Sequence, residues 1–229
     1  IVIKVPFRVS FVGGGTDIKK FYRHHSGQVI STTIDKYIYV SLKKSVNNFT
    51  YLKYSKFEKV NDIEKIKHPI IRAIFRRYGI TNVDLSCSSD IPAGSGLASS
   101  SAFTIAVLKA VKYFKNLEYT NESIAKECCD IEINILREPI GKQDQYAISF
   151  GGLNHIIFNK NETVKIQRIK APNLFIKKFN DCCLFTSIGK KRSAKSILSE
   201  QIKKINNKKN IELYKQLSSL VKDFNKALI

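Results

Sequence analysis

Apolar and polar positions change period along this chain, and the change predicts its elements. In the first third the pattern is of strands. Residues 1–5 and 7–12 are β-rich, with Pro6 between them at an expected edge or kink. Residues 29–33 and 37–42 read as a pair of strands, followed by another at 50–54. Between these groups Thr16 or Asp17 is placed to cap a short helix ending near His25, with Gly27 as its stop. Residues 69–78 form a short basic helix stopped by Gly79, and residues 83–89 alternate as a strand. A loop over 90–97 leads to a strongly apolar helix over 99–114. Thr120 caps a further helix running to about Arg137. Residues 146–158 read as a strand interrupted by Gly151 and Gly152, and 163–169 completes a hairpin with it.

A shift in composition near Pro172 predicts a domain boundary, giving units at 1–171 and 172–229. Beyond it come a strand at 182–186 and basic helices, the last an amphipathic one over 210–228. Strands first and helices alternating later argue for an α/β or α+β class.

Composition narrows the function classes. Hydrophobic residues make up 43% and charged residues 25%, which is ordinary for a folded globular chain. No apolar run approaches the roughly 20 residues that span a bilayer, and the start lacks the features of a signal peptide. Cys87, Cys128, Cys129, Cys182 and Cys183 have neither a disulfide-framework nor a zinc-ligand spacing, so reduced thiols in a cytoplasmic protein are expected. The net charge of +20 reads either as a compositional bias toward lysine or as a sign of an acidic partner: a nucleotide, a phosphorylated substrate, an anionic membrane or a nucleic acid. Aromatic residues are not interleaved with the lysine clusters, so a nucleic-acid platform is not expected, and neither is a membrane partner. The chain opens on Ile1, contains no methionine, and ends in a helix without a stop signal, which reads as a fragment of a longer protein.

Three segments carry chemistry. The first is Ile91-Pro92-Ala93-Gly94-Ser95-Gly96-Leu97-Ala98-Ser99-Ser100-Ser101-Ala102, joining a strand to an apolar helix. Its glycines let backbone approach an anion, and its serines open a helix whose free N–H groups and dipole favour phosphate. It is not a Walker loop, and by pattern alone it also reads as a serine-capped turn. The second is Arg8, set in a hydrophobic strand ahead of Gly13-Gly14-Gly15-Thr16-Asp17. A buried arginine needs an anionic partner. Asp17 could hold sugar hydroxyls or merely cap the helix. The third is Gly141-Lys142-Gln143-Asp144-Gln145-Tyr146, following a helix that bears Glu132. These carboxylates fit a base and a metal ligand, or ordinary surface acids.

Together the three segments resemble the GHMP kinases, named for galactokinase, homoserine kinase, mevalonate kinase and phosphomevalonate kinase. The run from Pro92 to Ser100 matches the family's nucleotide loop, with Ala98 where many members have glycine. Within the family the bacterial heptose 7-phosphate kinases are most similar, through Gly13 to Asp17, Gly141 to Ala147 with Phe150-Gly151-Gly152, and Thr186 through Arg192-Ser193-Ala194. The resemblance implies an α+β, two-domain fold with a mixed sheet packed against helices and an incomplete C-terminal domain. It implies ATP and Mg²⁺ as cofactors, with Pro92, Gly94, Ser95, Gly96, Leu97, Ala98, Ser99, Ser100 and Ser101 around the nucleotide. Ser100 and Glu132 match the metal ligands. Asp144 matches the catalytic acid–base residue, and Arg8 the cation beside it. Gly13, Gly14, Gly15, Thr16, Asp17 and Gly141 match substrate positions, the three glycines leaving room for the sugar ring; Arg192 is one candidate to receive a substrate phosphate, or else part of a solvated charge cluster. The implied reaction is phosphorylation of the anomeric hydroxyl of D-glycero-D-manno-heptose 7-phosphate or of another sugar such as fucose or galactose. A non-catalytic relative is the alternative, because the family's third, C-terminal glycine-rich motif is missing.

Overall fold

A computed structural model describes residues 1–184, 186, 199–200, 205 and 208–228, without the side chains of 175, 208 and 209. The chain builds a mixed 7-stranded sheet covered by helices, as the α+β expectation required. β2 (Gly27–Lys44) is the long central strand. β1 (Val2–Val12) pairs antiparallel along one edge of it. Its other edge is divided between β5 (Val83–Ser89), paired at Ile38 to Lys44, and β6 (Asn154–Phe158), paired at Gly27 to Ser31. The sheet continues from β5 to β3 (Thr50–Lys53) and β4 (Phe57–Val60), and from β6 to β7 (Val164–Arg168). Among the described strands only the β3–β5 pairing is parallel.

The expected strand pair at 29–33 and 37–42 is a single strand instead. The polar stretch Ile34-Asp35-Lys36 is a bulge, where the register to β1 slips between Pro6 and Arg8, rather than a turn. Pro6 lies beside that slip, opposite Tyr37, on a strand that pairs with β2 along one edge, the kind of position where proline is tolerated.

α3 (Ser99–Phe114) runs through the main core and is buried from Ser101 to Leu108. Ile105, Leu108 and Val111 share that core with Phe7, Val40, Leu42 and Leu85 of the sheet. α2 (Pro69–Tyr78) covers the same face and ends on Gly79 in the left-handed conformation, as its sequence predicts. α4 (Asn121–Cys129) opens on a capping box between Thr120 and Ser123, and its axis continues as a π-helical turn, Asp130–Ile135. α5 (Gln143–Phe150) replaces the first half of the strand expected at 146–158. Short apolar runs do not separate helix from strand, and Gly151, at φ 66°, ends the helix before β6 begins.

α1 (Lys19–His25) has no side-chain cap. Thr16 and Asp17 are engaged elsewhere, and Ser26 rather than Gly27 closes the helix. α6 (Asn173–Cys182) takes up the start of the strand expected at 182–186; Phe185 lies outside the described residues. α7 (Lys208–Ala227) packs its Val221, with Leu228 just beyond it, on Ile30. Neighbouring Val29 turns to the opposite side, toward Tyr146 and Ala147, so α7 covers the far face of the sheet.

Candidate active site

Four segments remote in sequence meet at the end of β1. The loop from Pro92 to Gly96 is exposed, and a Cβ at Gly94 or Gly96 would meet nothing within 4 Å among the described residues. Both glycines have positive φ, which turns the loop in a way that L residues resist. Ala98 then adopts the left-handed conformation itself, at φ 61°, as the residue preceding α3. Ser99 and Ser100 occupy the first turn of α3, where backbone N–H groups lack helical acceptors. The result is an open, donor-rich rim with no acidic side chain in the helix's first turn.

Arg8 is 8% exposed and spends its guanidinium on this rim. Its Nε donates to Asp144 Oδ1 at 2.8 Å, and its Nη2 lies 2.6 Å from the same oxygen. Nη1 donates to the Gly96 carbonyl at 3.0 Å. The arginine in the hydrophobic strand therefore has the anionic partner it requires, and one side chain ties the loop to the start of α5.

Glu132 is 1% exposed and projects from the π-helical turn. Its Oε1 accepts from Ser100 at 3.3 Å and Thr104 at 2.9 Å; its Oε2 accepts from Ser101 at 2.8 Å and Gln145 at 2.7 Å. Burial pushes its pKa up, the donors from Ser101, Gln145 and Thr104 oppose that, and the Asp144 charge adds to the rise. Arg8, Asp144, Gly96, Ser100 and Glu132 thus form one connected constellation.

Comparison with known proteins fits this geometry. Residues 64–152 match the GHMP kinases N terminal domain. Over 226 residues the chain is 32% identical to D-glycero-alpha-D-manno-heptose 7-phosphate kinase of Campylobacter jejuni, covering 91% of this chain and 66% of that protein. The chain belongs to the GHMP kinase family.

Galactokinase of Thermosipho africanus is 28% identical over 186 residues, 76% of this chain and 51% of that one. The crystal structure of a D-glycero-D-manno-heptose 1-phosphate kinase from Bacteriodes thetaiotaomicron shares the GHMP kinase fold with a TM-score of 0.72, at 24% identity over 78% of this chain and 62% of its own. The chain therefore spans 66% of the first of these curated relatives and about half of the second.

Among the other positions matched to GHMP kinases, Thr16, Asp17 and Gly141 lie beside the constellation. Asp17 is 3% exposed; Oδ1 accepts from the Gly15 N–H at 3.1 Å and Oδ2 from the Gln143 N–H at 3.0 Å. Burial raises its pKa, against the backbone donors that lower it, and the Asp144 charge raises it further. Gly141 is small for a plain reason: a Cβ there would lie 1.9 Å from Asp17 Oδ2. Thr16 is wholly buried, its hydroxyl between the carbonyls of Gly13 and Gln28 at 2.8 and 2.9 Å.

The room expected over the three glycines is partly taken. A Cβ on Gly13 would meet Val221, and one on Gly15 would meet the Tyr214 ring, both from α7. Gly14 has more room: a Cβ there would lie 3.9 Å from Ser10 Oγ and 4.0 Å from Gln143 Nε2. A cleft of about 230 Å³ also borders Asp17 and Gly141, lined by Lys19, Tyr22, Lys142 and Tyr146, but neither Arg8 nor Asp144 reaches it. Arg192 lies outside the described residues.

Sequence reasoning missed Ser10, Gln143, Gln145, Thr104 and Tyr214. Ser10 donates to Gln143 Oε1 at 3.0 Å, linking β1 to the first turn of α5. The one available signal was spacing: Thr104 falls one helical turn after Ser100 and so shares its face.

Proposed function

We propose that this chain provides the nucleotide and acceptor sites of an ATP-dependent sugar kinase acting on an anomeric hydroxyl, with D-glycero-D-manno-heptose 7-phosphate as the substrate. The Arg8–Asp144 pair, reaching the rim of the loop through Gly96, carries this reading. Phosphoryl transfer depends on positioning and charge neutralisation more than on covalent chemistry. The free N–H groups at the start of α3 would hold the triphosphate. Asp144 would accept the proton of the sugar hydroxyl as that oxygen forms its bond to the γ-phosphorus and the bond to ADP breaks. Arg8, bonded to Asp144, holds that carboxylate in place and stands where charge develops on the transferring group.

Ser100 and Glu132 would hold Mg²⁺. The residues fit: a hydroxyl and a carboxylate, hard oxygen donors, already lie 3.3 Å apart, with the serine exposed toward the loop. Bound there with nucleotide, the ion supplies neutralising charge to the phosphates. Among the described residues there is no group of three His, Cys, Asp or Glu that could hold a metal. The phosphates and water would supply the other ligands.

The test is an ADP-release assay across heptose 7-phosphate, galactose and fucose, beside calorimetric binding of ATP. Release with the heptose phosphate, abolished by Asp144→Asn while ATP affinity stays within a few-fold, is the expected result. Turnover at the unaltered rate in Asp144→Asn removes that residue from the mechanism. Release with galactose or fucose alone transfers the reading to another sugar 1-kinase.

A further inference from the structure

Glu132 is tied to two helices. Ser100, Ser101 and Thr104 all reach it from α3. Gln145, from α5, holds it from the other side through Nε2 at 2.7 Å. Gln145 is completely buried, and among the described residues its own Oε1 has no hydrogen-bond partner. The amide cannot be turned to mend this. A carboxylate only accepts, so the NH₂ group must face Glu132 and the amide oxygen must face the other wall.

Packing alone does not account for such a residue. A buried acceptor left unpaired is a local penalty that an apolar side chain of the same shape would avoid. The neighbouring residue supplies the reason. Asp144 and Gln145 are consecutive in the first turn of α5, and successive helical side chains diverge by about 100°. That turn aims Asp144 at Arg8 and Gln145 at Glu132. One rigid element therefore spaces the two carboxylates that the reaction needs.

We propose, building on the kinase reading above, that Gln145 is a positioning residue: it locks the Glu132 carboxylate relative to Asp144 and so sets the affinity for the divalent cation that accompanies nucleotide. Groups behind a metal ligand commonly change metal affinity by about 10–100-fold when removed. Gln145→Met keeps the length and volume of the side chain and deletes the donor.

The experiment titrates Mn²⁺, followed by electron paramagnetic resonance, into the chain saturated with a non-hydrolysable ATP analogue. The expected result for Gln145→Met is Mn²⁺ affinity weaker by about tenfold or more, with analogue affinity in the absence of metal unchanged. Unchanged Mn²⁺ affinity, with only a lowered melting temperature, overturns the proposal and leaves Gln145 a structural residue. Gln145→Leu gives the same readout if the methionine variant does not fold. If the unaltered chain binds analogue but no Mn²⁺ at this site, the positioning role falls and the nucleotide site stands. If it binds neither, the kinase reading falls with it.

Discussion

Asp17 shows how one residue's surroundings decide its chemistry. Its carboxyl accepts two backbone N–H bonds, which favour the ionised form, yet burial outweighs them and raises its pKa above the ordinary 3.8. The sign of the pH dependence follows. Between 3.8 and the raised value the folded chain keeps a proton that the unfolded chain has lost, so this group's contribution falls as pH rises through that window. Denaturant melts across this range are expected to show the unaltered chain losing stability relative to Asp17→Asn as pH rises, because the amide cannot titrate while the other carboxylates titrate alike in both chains. The backbone bond that the amide gives up offsets the two chains by a constant and leaves this pH dependence in place. An identical slope in both chains would show that Asp17 titrates normally. Whether Asp17 also touches a sugar belongs to the proposed function; its two backbone bonds already give it the task of fastening the Gly141–Gln143 segment to the glycine loop.

At the scale of elements, the entrance to α3 carries strain that its sequence foretold only in part. Ala98 stands where many family members have glycine, and it adopts φ 61° and ψ 37° without a side-chain cap. An L residue in that region costs about 1–2 kcal/mol, and glycine returns part of this as greater freedom in the unfolded chain. Ala98→Gly is therefore expected to raise stability by about 0.5–1 kcal/mol. The check is a higher urea midpoint at an unchanged slope, since the surface exposed on unfolding stays the same. A lower midpoint would mean that the methyl group makes a compensating contact. The π-helical turn is a second irregularity. It interrupts regular spacing after α4 and faces Glu132 inward beneath Ser100, Ser101 and Thr104.

At the scale of the molecule, α7 closes the glycine segment from the far face of the sheet. Val221 is wholly buried, against Ile30 and the position where a Gly13 side chain would stand. Tyr214 lies over Gly15 with its ring centroid 5.5 Å from that of Phe21. Trimming Val221→Ala should cost roughly 1.5–3 kcal/mol, on the scale of burying one such side chain. Because α7 is the element loosened, amide exchange should accelerate at residues 13–17 while α3 stays protected. Uniform acceleration across the sheet would instead show that α7 and the core open together.

Much of this was legible in the sequence, for identifiable reasons. Local rules fixed α2, whose N-terminal Pro69 and terminal Gly79 mark both ends, and the start of α4, through Thr120. Alternation fixed β5, and near-continuous apolarity fixed α3. The order of the loop, Arg8 and Asp144 segments was enough to point to the family. Other features depended on long-range pairing. β2 is one 18-residue strand because β1, β5 and β6 all pair with it, which turns a polar stretch that resembles a turn into a bulge. Residues 143–150 are helical because Tyr146 and Ala147 bury against Val29 and Ile156 while Gln145 reaches Glu132. Residue types and spacing by themselves determined the kinds of group available and the local turns that carry them. Tertiary structure alone decided which groups meet, because hydrogen bonds spanning 13 to 136 residues arise only once burial has brought the helices onto the sheet.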